Sequence, residues 1–232
     1  MTMPWPGRAG IAELWKALRD YLGAGGRRRR SRIANLDALC EFLESRASHV
    51  AQTSLYGYLR TRSGVRFPEL FANDDFARSI DIAKWYVWLA CVSDLAIYAG
   101  GLIAQRTNSG QAAVGRLMAG VVDVIITNTG VPERAGSEFL ELTQRLRERV
   151  ASCDWAAVRD DETPFSESPL ALINRAPVIN ELKRLDDEIV RNSVRFRWQE
   201  VRRDLRRDLD ADALMASIGQ VSPRGDASQD GG

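Results

Sequence analysis

Residues 85–104 read WYVWLACVSDLAIYAGGLIA, and this stretch decides the fold. Its length is that of a membrane-spanning helix, about 20 residues. Asp94 stands near its middle, where an ionisable group is costly in lipid. The stretch is therefore expected to be the core helix of a globular protein. Upstream, Asn73 followed by Asp74 and Asp75 marks the helix start, because acidic residues suit the positive end of the helix dipole. The helix is expected to run to about Gln105. Arg106-Thr107-Asn108-Ser109-Gly110 has the composition of a turn, and a second helix returns from Gln111 to about Ile126. Val121, Val122, Val124, Ile125 and Ile126 favour strand, but the sequence offers no strand for them to pair with. The pair is read as an apolar helical hairpin.

Two aspartates lie at similar distances from that turn, Asp94 before it and Asp123 after it. If they face each other, repulsion and burial raise the pKa of at least one, which is how an acid–base pair or a divalent-cation site is made. The other reading pairs each locally, Asp94 with an arginine and Asp123 with Arg116 or Arg78. Gly100, Gly101, Gly115 and Gly120 allow close helix approach in the same hairpin. Trp85, Tyr86 and Trp88 cannot all face one way, so at least one of them is expected at the surface or at a subunit contact, with Tyr98 completing the cluster. A large core is the plainer reading.

Outward to the N-terminus, Leu36, Leu39, Cys40, Leu43, Ala47, Val50, Ala51, Leu55, Tyr58 and Leu59 recur at helical steps. Ser31 is the expected N-cap, and Phe67-Pro68 breaks the chain beyond. At the end of this helix, Arg60, Arg62 and Arg66 alternate with aromatics and are read as an anion-binding trio; cations also suit a helix C-terminus without any ligand. Residues 1–30 read as an amphipathic helix, with Ile11, Leu14, Trp15, Leu18, Tyr21 and Leu22 on one stripe, followed by the basic linker Arg27-Arg28-Arg29-Arg30. That pairing is the form of a peripheral membrane anchor or of a helix that docks in a partner's groove; packing on the chain's own domain is the plainer reading.

Toward the C-terminus, Pro132 is expected to open a helix whose apolar face carries Phe139, Leu140, Leu142, Leu146 and Val150. Residues 154–169 read as a loop. Pro177 is expected to open the last long helix, with Val178, Ile179, Leu182, Leu185, Ile189, Phe196, Val201, Leu205 and Leu209 as its stripe and dense charge elsewhere, the pattern of a solvated outer layer. Residues 219–232 have the composition of a disordered tail. The expected architecture is all-α: an irregular antiparallel bundle of five or six helices around the apolar hairpin, one domain over residues 31–218.

Composition removes more than it adds. The 32 basic and 31 acidic residues leave a net charge of +1, which argues against a nucleic-acid binder. Cys40, Cys91 and Cys153 are isolated, so neither a disulfide framework nor a zinc site is expected, and a reducing cytoplasm is the default compartment. His49 is the only histidine. A Ser–His or Cys–His nucleophilic site would have to use it, yet no G-x-S-x-G, H-E-x-x-H, G-x-x-x-x-G-K-[ST] or G-x-G-x-x-G is present. No cofactor or metal is read. The sequence therefore points to a non-catalytic intracellular adaptor or assembly factor. Its expected partner is another protein, with an anionic membrane surface and a second copy of the chain as further partners. The alternatives are a hydrolase-like enzyme or ligand binder on the hairpin aspartates, and a nucleic-acid binder through the arginine-rich segments.

Overall fold

The computed structural model describes residues 32–64, 67, 72–135 and 137–219. Within them the chain is all-helical, with seven helices: α1 (Leu36–Ser63), α2 (Asp74–Arg106), α3 (Gln111–Thr129), α4 (Phe139–Ala151), α5 (Glu167–Arg175), α6 (Asn180–Asp208) and α7 (Ala211–Gly219). The expected amphipathic helix and basic linker (Trp15, Leu18, Arg27, Arg28, Arg29, Arg30), the Ser31 cap, Arg66 and residues 220–232 lie outside the described residues.

α2 is the axis of the bundle. It begins where Asn73 Oδ1 accepts the Phe76 amide at 2.9 Å, with Asp74 and Asp75 in the first turn. From Tyr86 to Ile103 it is buried on nearly every side, because α1, α3, α4, α5 and α7 all pack against it. That is why its aromatics need no exposed face. Tyr86, Trp88 and Tyr98 are buried and Trp85 is half-buried, so the expectation that one must reach the surface is corrected. An apolar helix enclosed all round has no preferred direction for its large side chains. Trp85 meets Trp88 and Phe139 edge-on, and Trp88 Nε1 donates to Ser48 Oγ at 3.1 Å on α1.

The other elements follow ordinary helix signals, with three displaced starts. α1 starts at Leu36 and is capped by Asn35, whose Oδ1 accepts the Ala38 amide at 2.9 Å; the cap lies four residues beyond the expected Ser31. α3 is helical despite its β-branched run, burying Val114, Leu117, Met118, Val121, Val122 and Ile125 on one face. Pro132 heads a turn closed by the Ala135 amide on its carbonyl at 3.0 Å, and α4 starts only at Phe139. α6 starts at Asn180, three residues past Pro177.

α5 lies inside and just beyond the segment read as loop. A nine-residue helix with a proline in its first turn carries little periodicity, and its first amides take their acceptor from another helix. The loop before α5 is anchored by buried Trp155 and Phe165. Trp155 and Val158 lie against α2 so closely that a Cβ added at Gly100 would stand 2.3 Å from Trp155, and one at Gly101 2.3 Å from Val158. Those two glycines let the loop cross the central helix. α6 forms an outer layer over α5 and α1. Past its end the chain turns into α7, and Ile33 closes the bundle in a parallel bridge with Leu209.

Gly101→Ala should destabilise the fold by about 1–3 kcal/mol, because an added methyl has no room. Gly120→Ala on α3, which meets nothing within 4 Å, should stabilise it by about 0.5–1 kcal/mol. Denaturant melts of both variants check the pair; equal effects would contradict the close crossing.

Candidate functional site

Among the described residues, Asp94 is the most deeply buried carboxylate. Its side chain has no exposed surface. Oδ1 accepts from Arg149 Nη1 at 2.9 Å and from the Glu167 amide at 3.1 Å, and Oδ2 accepts from the Ser168 amide at 2.8 Å. Glu167 and Ser168 are the first residues of α5, whose own N-cap residue, Ser166, makes no side-chain cap. A carboxylate from α2 thus takes the place of the missing cap, where its charge also meets the positive end of the α5 dipole.

Arg149, on α4, spreads its donors over Asp94, Ser93 Oγ at 2.7 Å, the Pro164 carbonyl at 3.0 Å and the Glu167 carboxylate at 3.0 Å. Ser168 Oγ in turn accepts from Trp198 Nε1 at 3.0 Å on α6. Trp198 stacks on Phe165 with centroids 4.7 Å apart, and Phe165 touches Tyr98. Tyr98 donates to Asp160 at 2.6 Å, and Asp160 also takes Arg206 at 2.9 Å. One connected network joins α2, α4, α5, α6 and the loop between α4 and α5.

Burial pushes the Asp94 carboxyl up to about 6, against the pull of Arg149 and the Ser168 donors. Burial, then Asp94 itself, pushes the Cys91 thiol well above its ordinary range, so it is a poor nucleophile. Two surface cavities, of about 550 and 480 Å³, are lined by residues around Arg106 and Asp210 and around Leu140 and Arg145; Asp94 borders neither. The donors around Asp94 are protein groups that hold helices together.

The structure does not bring Asp94 and Asp123 into one site. Asp123 keeps 57% of its side-chain surface and pairs with Arg147 at 2.8 Å. Arg147 and Arg149 are two residues apart on α4, hence about 200° apart around it. The two aspartates therefore meet opposite sides of the same helix. His49 is half-buried on α1, and burial, then Arg46, holds its imidazole below the ordinary histidine pKa. Of its neighbouring serines, Ser48 accepts from Trp88 and Ser45 donates to the Phe42 carbonyl at 3.2 Å. Arg62 pairs with buried Asp186 of α6, which also accepts from Tyr58 at 2.9 Å, while Arg60 is exposed. Among the described residues no three His, Cys, Asp or Glu groups are placed to hold a metal ion.

The structure also separates two apolar rows on α6 that the expected stripe had merged. The buried row is Val190, Val194, Trp198, Val201 and Leu205, with Asp186 and Asp204 in it. Leu185, Ile189 and Phe196 point the other way and are 75%, 68% and 72% exposed. Their four- and seven-residue spacing, offset by one from the valine row, was the available sign. Arg149, Ser168 and Trp198 carried no such sign, because their partners are distant in sequence. Comparison with known protein families, with curated proteins and with solved structures finds no match.

Arg149→Met leaves Asp94 buried without its cation and should cost about 3–5 kcal/mol. Because the folded-state pKa of Asp94 lies above its unfolded value, the stability it contributes is complete below about pH 4 and is lost as the pH rises through about 6. Asparagine does not titrate. The melting-temperature difference between wild type and Asp94→Asn should therefore move in the variant's favour from pH 4 to pH 7; a pH-independent difference would contradict a raised carboxyl.

Proposed function

We propose that this chain is a non-catalytic helical adaptor or assembly factor that binds another protein through the outer face of α6. One observation carries the reading: Leu185, Ile189 and Phe196 stand exposed in one row on a helix whose opposite face is already committed to the core. Three large apolar side chains aligned on one surface helix are what a docking face looks like. Scattered single exposures, such as Val131, are ordinary.

The aspartate-based enzyme reading draws no support from the geometry, because its two carboxylates lie apart and Asp94 is occupied as a cap. A nucleic-acid reading would need a cationic face, whereas Arg62 is neutralised by Asp186. By length and hydropathy α2 and α3 are apolar enough to cross a membrane, but 89% of the apolar window of α2 is buried in the bundle. The outer row of α3 carries Arg116, Asp123 and Thr127. An anionic membrane surface stays in the reading as a second docking partner, resting on the sequence of residues 11–30. The cytoplasm stays as the proposed compartment.

The double variant Leu185→Glu/Phe196→Glu should melt within a few degrees of wild type, since both positions are exposed. It should also lose about tenfold or more of the protein cross-links that the wild type forms in its own cells. An unchanged cross-linking pattern would contradict the reading.

A further inference from the structure

We infer that the outer face of α6 binds the same face of a second copy of this chain, with the two helices antiparallel about a twofold axis near residues 190–191. The inference rests on the protein-binding reading above and names its partner. Leu182, Leu185, Ile189, Asn192 and Phe196 follow one another at steps of three, four, three and four residues, the a/d spacing of a helix that packs against another helix. At 100° per residue, Leu185, Ile189 and Phe196 fall within an arc of about 40°. Exposed positions run from Asn180 to Arg203, about 35 Å of helix, so none of the described residues blocks a neighbour along this length.

Charge selects the partner. Most exposed charges on this face are answered within the helix: Glu181 by Arg184 at 3.9 Å and Glu200 by Arg203 at 3.6 Å, while beside them Asp187 meets Arg191 at 2.7 Å. Two exposed residues, Glu188 and Arg195, have no ion-pair partner among the described residues. They are opposite in sign, lie on one edge of the apolar row and are seven residues apart, about 10.5 Å along the axis, too far to meet each other. In an antiparallel pair, positions of this type face each other across the seam, so Glu188 meets Arg195 of the second copy and Arg195 meets its Glu188. The same register sets each Phe196 against Leu185 of the other copy and places Ile189 beside Asn192 at the centre. A parallel pair would set Glu188 against Ser193 of the second copy and leave it without a cation. It would also set Arg195 against Glu200, which Arg203 already answers at 3.6 Å, so the antiparallel orientation alone answers both charges.

The test is sedimentation of the full chain from about 1 to about 100 µM in low salt, the range in which an interface of this modest size associates. A dimer is expected, with Phe196→Glu monomeric and equally stable. Glu188→Arg and Arg195→Glu alone each set like charges together twice and should weaken the dimer about 3- to 10-fold. Mixing the two variants should restore association as a heterodimer, and Glu188→Arg/Arg195→Glu should match wild type. A monomer throughout overturns the proposal, as do charge variants that fail to recover on mixing. So does a dimer that appears only when residues 1–31 are removed, which would make that segment the occupant of the face. If the chain is monomeric and α6 variants still abolish cross-links to other proteins, this inference fails and the protein-binding reading stands. If the dimer shows the charge pattern and those cross-links do not change, the dimer stands and the adaptor reading fails.

Discussion

A carboxylate shut away from water must find donors for its oxygens, and the donors that Asp94 finds determine how four elements meet. Its two oxygens take the first amides of α5 and the guanidinium of α4. Satisfying one buried charge thus sets the position of a short helix and the approach of a longer one. α5 is too short to be stable alone. Its start is held by α2, its Ser168 holds Trp198, and Trp198 seats α6. The placement of the outer helix, and with it the face that α6 turns to solvent, depends on the cap at α5.

The same device recurs elsewhere. Asp186 and Asp204, both buried on α6, meet Arg62 and Arg46 of α1. Three nearly inaccessible carboxylates are each matched by an arginine on a different helix. Arginine suits this work, since its planar fork satisfies several acceptors at once and stays charged. The near balance of 32 basic and 31 acidic residues is in part internal architecture, and it leaves few unanswered charges on α6. Glu188 and Arg195 stand out against that background.

What was legible in the sequence was local. The Asn73 cap, the hairpin around Thr107–Gly110, the helical state of Gln111–Thr129 and the burial of the Trp85–Ala104 stretch all follow from short-range patterns and appear in the structure. What was not legible depends on partners distant in the chain. α5 lacks a cap of its own because Asp94, 73 residues away, supplies one. Asp94 and Asp123 are level along the hairpin but not around it, and helix rotation is set by packing against α4. On α6 two apolar rows interleave: Val190, Val194, Trp198, Val201 and Leu205 face the bundle, whereas Leu185, Ile189 and Phe196, read as part of one stripe with Val201 and Leu205, face outward.

The most direct measurement is amide hydrogen exchange at Glu167 and Ser168 in wild type and in Asp94→Ala. If the carboxylate holds α5, the variant should exchange these amides and the rest of α5 about 10- to 100-fold faster, through local opening. The α2–α3 centre, at residues such as Leu95 and Val121, should keep its protection. Unchanged exchange in α5, or protection lost evenly across all helices, would contradict a bundle organised around Asp94.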